Sequence, residues 1–188
     1  MKWLKKIVPN LVGSPGSYAE QQKSFKELLM ILIIGGLLVF TVVLFMFKNI
    51  KISLSVLLVS ALGISGSIIA LYLTNTPLNV GSYTGIIMII GIIGENSIFT
   101  IHKFLDENKN NSTNKAMRLA VSARLRPSLM TVLAAIVALT PLALGIGTGA
   151  QMHQPLAIAV IGGFVLALPL LLIVLPTLIY KSIQINKD

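Results

Sequence analysis

The sequence predicts an all-α protein, an integral membrane bundle of five transmembrane helices, and three observations carry that prediction. Apolar residues make up 55% of the 188 positions and charged residues only 11%, against about a quarter charged in ordinary soluble domains; mean hydropathy is +0.87. The charges lie in blocks, leaving five apolar stretches near residues 28–47, 52–73, 78–101, 128–148 and 155–180. Each is long enough for a hydrocarbon core that takes roughly 20 helical residues. Finally, Leu28–Phe47 and Ile86–Gly94 run apolar without the alternation of a barrel strand. Backbone groups in a bilayer have no water to bond, so only helices or closed barrels span it, and unalternating runs leave helices.

Residues 1–26 form a polar segment punctuated by Pro9, Gly13, Pro15 and Gly16. Met1–Lys6 is basic, but Pro9 and Asn10 break the apolar run that a signal peptide would need. A helix enters the membrane from Ser24 onward, opening a transmembrane domain over 27–181. Thr74-Asn75-Thr76-Pro77 makes a short turn between the second and third spans, and Asp106–Asn114 makes a polar loop. Lys115–Arg124 reads as a short amphipathic helix along the inner surface, with Ala116, Leu119, Ala120 and Ala123 on its apolar face. Residues 182–188 form a cytoplasmic tail. Small residues mark the faces where helices meet: Gly63, Gly66, Ser67 and Ala70 on the second span, and Gly81 and Gly85 opening the third. In the fourth, Ala143, Gly145, Gly147 and Gly149 have the same character. Pro141 and Pro169 each remove a helical hydrogen bond and should kink their helices.

The formal charge of +9 is distributed by loop. Lys103, Lys109, Lys115, Arg118, Arg124 and Arg126 lie between the third and fourth spans, Lys48 and Lys51 fill the first loop, and Lys181 and Lys187 follow the last span. Thr74–Pro77 and Gly149–Gln154 contain no Lys or Arg. This alternation follows the positive-inside rule and argues against a nucleic-acid partner; the partner it implies is the lipid bilayer. It places the C-terminus in the cytoplasm and the N-terminus outside. Lys2, Lys5, Lys6, Lys23 and Lys26 oppose that placement, but charge bias is weak for segments translocated with a long domain.

Five of the six acidic residues sit at the ends or in loops, and Glu95 alone lies well inside an apolar span. A charged carboxylate there costs about 2.5–3.5 kcal/mol on insertion scales. A carboxyl so placed can load and release a proton. The bland alternative is a structural carboxyl bonded to Asn96, Ser97 or a neighbouring helix. Met88, Glu95 and His102 repeat every seven residues and share a helical face. Thioether, carboxylate and imidazole suggest a soft-metal path, but three groups spread over two heptads cannot hold one ion without partners, so no metal site is assigned. His102 reads as interfacial and His153 as solvated in the opposite loop. With no HExxH, GxSxG, Walker loop or cysteine, no enzyme activity and no cofactor are expected. Energy would come from an ion gradient or another subunit.

Three segments carry a family resemblance. PLNVGSYTGIIMIIGIIGENSIFTI at 77–101, RLRPSLMTVLAAIVALTPLALGIGTG at 124–149 and PLAIAVIGGFVLALPLLLIVLPTLIY at 155–180 resemble the tenth, eleventh and twelfth transmembrane helices of resistance-nodulation-division (RND) efflux pumps. YAEQQKSF at 18–25, with the span after it, resembles the entry to the eighth helix from the periplasmic domain. The resemblance implies the C-terminal transmembrane block, helices eight to twelve, of a proton–substrate antiporter of the heavy-metal or multidrug branch. It implies a bacterial inner-membrane location, trimeric assembly, and a periplasmic adaptor and outer-membrane channel as partners. It places the end of a large periplasmic region at 1–26, which would account for the external lysines.

By the same resemblance, Glu95 matches the proton-relay position of the tenth helix, a lysine in many drug exporters and acidic in some metal-ion exporters. Arg124 and Thr131 match the basic and hydroxyl relay positions of the RLRPSLMT segment. Ser128 departs from the lysine found in some metal exporters, and the family's paired aspartates and porter domains have no counterpart in this sequence. The expectation is therefore a portion of a pump, inactive alone. The competing class is a non-transporting bundle that scaffolds or regulates a membrane complex.

Overall fold

The computed structural model describes residues 15–184, with side chains described from Lys26 to Lys181. Most of the polar segment 1–26 and most of the tail 182–188 lie outside that range. The described chain folds as α1 (Pro15–Phe47), α2 (Ile50–Leu73), α3 (Val80–Glu107), α4 (Thr113–Ala143), α5 (Ala150–Pro169), a π-helical turn (Leu170–Val174) and α6 (Leu175–Gln184). Among the described residues, five helices are long and apolar enough to cross a membrane, the last running from α5 into α6. α1 begins well before Ser24, with Pro15 in the first turn, where proline's missing N–H costs no helical bond.

Helix ends follow local chemistry. The Asn49 side chain accepts from the backbone N–H groups of Lys51 and Ile52 and starts α2. Asn79 and Ser82 bond reciprocally as a capping box that starts α3. The turn between them closes as its sequence predicts: Asn75 adopts a positive φ of +50°, and Thr74 donates its hydroxyl to the Ala70 carbonyl over 2.9 Å.

α5 is the hub, packed against α2, α3 and α4, while α1 leans on α2 and α3 at the periphery. The core holds Val56, Val59, Ile89, Ile93, Val160 and Phe164. Large side chains such as Leu29, Ile33, Leu37 and Phe45 of α1 face outward, as expected where the solvent is lipid. The predicted small-residue faces on α2 and α3 are contact faces: a methyl at Gly85 would lie 2.9 Å from the Leu156 carbonyl oxygen, and Gly66 and Gly162 meet backbone to backbone.

Two expectations are corrected. The glycines at 145, 147 and 149 are not a packing face, because α4 ends at Ala143. All three have positive φ, +71°, +118° and +81°, which glycine alone adopts without strain. They build the turn into α5, and the Gln154 side-chain amide closes it by donating to the Ala143 carbonyl over 2.8 Å. Nor is 115–124 a separate surface helix: it is the first part of α4, continuous through Pro127. Ala116, Met117 and Ala120 join the main core alongside Leu175 and Ile179, so packing holds the segment in line with the span. Ala123 and Leu119, predicted on its apolar face, are exposed. Pro141 lies two residues before the end of α4. Pro169 is followed directly by the π turn, the wider turn by which a helix absorbs a missing bond.

Candidate functional site

Glu95 sits midway along α3 with its side chain exposed. Gly94 beside it lets α1 approach so closely that a methyl there would meet Val39 at 2.8 Å. Next to this contact a crevice of about 350 Å³ opens, lined by Leu38, Val39 and Val42 of α1 and by Gly91, Gly94, Glu95, Ile98 and Phe99 of α3. Glu95 is the only ionisable group in this lining. The ion pairs among the described residues are Lys103–Glu107 at 2.8 Å and Lys109–Asp106 at 3.4 Å, both at the basic end of the bundle. Glu95 belongs to neither.

The polar neighbours of Glu95 in sequence have other surroundings. The Asn96 amide donates to the Ile92 carbonyl over 2.9 Å and accepts from the Ser128 hydroxyl over 3.3 Å. Ser97 is fully buried with its hydroxyl unpartnered. Neither neighbour is engaged with the carboxyl.

The bond between Asn96 and Ser128 crosses from α3 to α4 and fixes the register of two antiparallel helices. At 1.5 Å per residue, Arg124 lies about 6 Å from Ser128 toward the basic end, and Thr131 about 4.5 Å the other way. Glu95 therefore stands at a level between them. Arg124 is half-buried and lays its guanidinium 4.1 Å from the centre of the Phe99 ring, a cation–π contact. Phe99 is one helical turn from Glu95, so Arg124 reaches the carboxyl's face through the ring rather than by an ion pair. Thr131 donates its hydroxyl to the Pro127 carbonyl of its own helix over 2.8 Å and is otherwise exposed.

Phe99 and the Asn96–Ser128 link are the parts that residue reading alone misses. The spacing of four between Glu95 and Phe99 is a usable signal, but the partner of an asparagine 32 positions away is not. Met88 and His102 are exposed on the same face as Glu95. Among the described residues, no group of three His, Cys, Asp or Glu gathers to hold a metal ion.

Residues 4–183 match the model of the AcrB/AcrD/AcrF family. The cobalt-zinc-cadmium resistance protein CzcA of Cupriavidus metallidurans is 33% identical over 174 residues, which is 92% of this chain and 16% of that protein. The multidrug resistance protein MdtC of Erwinia tasmaniensis is 37% identical over 113 residues, 59% of this chain and 11% of that protein. A crystal structure of a heavy metal efflux pump superposes with a TM-score of 0.78 at 32% identity, covering 89% of this chain and 17% of the pump. The chain thus spans a small part of the length of these relatives.

Proposed function

This chain belongs to the AcrB/AcrD/AcrF family of RND efflux transporters, and from that membership we propose that it forms the last five membrane helices of a proton–substrate antiporter, with Glu95 as its proton-carrying group. The observation that carries the reading is the position of Glu95: a lone carboxyl inside an apolar span, facing outward beside a crevice. An intramembrane acid without an ion-pair partner is costly wherever it is not used, and the uncovered face is where further helices of a longer transporter would seat. Arg124, held on the Phe99 ring one turn from Glu95, lies from it toward the basic end of the bundle. Thr131 lies on the opposite side of that level, and its engagement with its own backbone makes it the weakest of the three relay candidates. Assembly as a trimer with an adaptor and an outer channel belongs to the same proposal.

Vesicles with an internal pH dye test the reading. The 188-residue chain alone is expected to give neither export nor proton flux above empty vesicles, whereas a transporter of the relatives' full length carrying these helices acidifies the lumen only when substrate is supplied. Robust proton-coupled export by the chain alone would overturn the need for a second set of helices. No substrate-dependent proton movement by the full-length protein would leave the scaffold reading in its place.

In the same proposal the N-terminus lies outside and the C-terminus inside, in the bacterial inner membrane. Single cysteines at Asn10, Asn110 and Asn186 are expected to label from outside the intact cell at position 10 only. External labelling at position 110 would reverse the orientation.

A further inference from the structure

At the basic end of the bundle, Lys115 and Arg118 are both exposed and, three residues apart on α4, share one helical face. Ser112, Asn114, Lys115, Arg118, Leu119 and Ser122 line a crevice of about 530 Å³ there. Its polar groups are cations, hydroxyls and an amide, all able to donate hydrogen bonds, and it contains no carboxylate. The two acids described at this end are already taken, Glu107 by Lys103 and Asp106 by Lys109, which leaves Lys115 and Arg118 outside every ion pair among the described residues.

Asn114 and Arg118 also border a second crevice, of about 330 Å³, whose other walls are Met117 of α4 and Pro176, Thr177 and Tyr180 of α6. A donor-rich cationic crevice thus adjoins a mainly apolar seam between two membrane helices, with Arg118 on the ridge between them. The register set by Asn96 and Ser128 puts Ser122 level with about residue 102 and Arg118 level with about residue 106, roughly 7 Å beyond the apolar run that ends near Ile101. Headgroups extend about that far beyond a hydrocarbon core.

We propose that these paired crevices bind an anionic phospholipid, its phosphodiester held by Lys115 and Arg118 and one acyl chain entering the seam beside Met117 and Pro176. Arginine presents a fork to two phosphate oxygens and lysine a point charge, and basic pockets between membrane helices suit anionic headgroups. A free phosphate would fill only the first crevice. The second favours a ligand with a tail. The site lies away from Glu95 and does not depend on proton coupling.

The test uses the full chain in nanodiscs of phosphatidylcholine doped with phosphatidylglycerol, and counts retained lipid by native mass spectrometry. Retention of phosphatidylglycerol over phosphatidylcholine is expected in the unsubstituted protein, with a loss of roughly tenfold or more in K115Q/R118Q. K48Q/K181Q removes the same charge from exposed positions at the same end, outside both crevices and both ion pairs, and should retain the lipid. Equal loss in both variants would reduce the effect to diffuse surface charge, and unchanged retention in K115Q/R118Q would remove the site. On the unsubstituted protein, glycerophosphoglycerol and inorganic phosphate should compete poorly against the whole lipid. Competition as strong as the lipid's own would show a phosphate site without a tail seam and overturn the lipid assignment.

Discussion

Glu95→Gln in a full-length transporter carrying these helices is expected to lower efflux by about a hundredfold, the low end of what losing a proton-transfer group costs, while membrane abundance stays unchanged. The substitution keeps the shape of the side chain and its hydrogen-bonding capacity but removes the proton that a carboxyl can release. Folding should tolerate it, since the side chain is exposed and belongs to no ion pair among the described residues. Replacing an acid by an amide inside an apolar span also removes the cost of ever charging it, so abundance should hold or rise. The measurement is substrate accumulation in cells, beside quantified membrane protein. Near-normal efflux from Glu95→Gln would take Glu95 out of the mechanism. A parallel loss of efflux and abundance would assign it a structural role instead.

What was readable in the sequence divides along a physical line. Number and type of elements follow from hydropathy because the bilayer forces every apolar run of sufficient length to be a helix, and the turn at Thr74–Pro77 follows from local residue chemistry. The extent of α4 did not follow. Local polarity at Lys115–Arg124 looks like a surface helix, but Ala116, Met117 and Ala120 are drawn into the core with Leu175 and Ile179, a contact between segments some 60 positions apart. The glycines after Ala143 mislead for a related reason: small residues serve close packing and positive φ alike, and only the backbone decides between them. At the site, the isolation of Glu95 in an apolar run was plain from composition. Its setting was not, because the Asn96–Ser128 link and the Arg124–Phe99 contact depend on the register between two helices.

α5 packs on α2 through a backbone-to-backbone contact, and Gly66→Ala is expected to break it. A methyl at Gly66 would lie 2.7 Å from the Gly162 carbonyl oxygen and 2.6 Å from Leu166 Cβ, and a methyl at Gly162 would lie 2.7 Å from the Gly66 carbonyl oxygen and run into Ala70. None of these neighbours is the far end of a flexible side chain, so no rotamer change relieves the clash and the helices must separate. Between helices in lipid there is no hydrophobic drive to offset that, only packing and hydrogen bonds. The cost should fall near the 1–3 kcal/mol typical of overpacking, about that much or more. For a chain of this size each kcal/mol moves the melting temperature by about 2–4 °C, so Gly66→Ala should melt roughly 2–12 °C lower in detergent. Gly162→Ala should do the same, and the double variant should lose less than the sum, because both substitutions open one contact. Gly36→Ala is the control: nothing lies within 4 Å of a methyl there, and alanine favours the helix by up to about 1 kcal/mol, so its melting temperature should hold or rise. If Gly66→Ala melts with Gly36→Ala, then α2 and α5 are not in backbone contact at this crossing, and the packing that positions α5 against α3 and α4 must come from elsewhere.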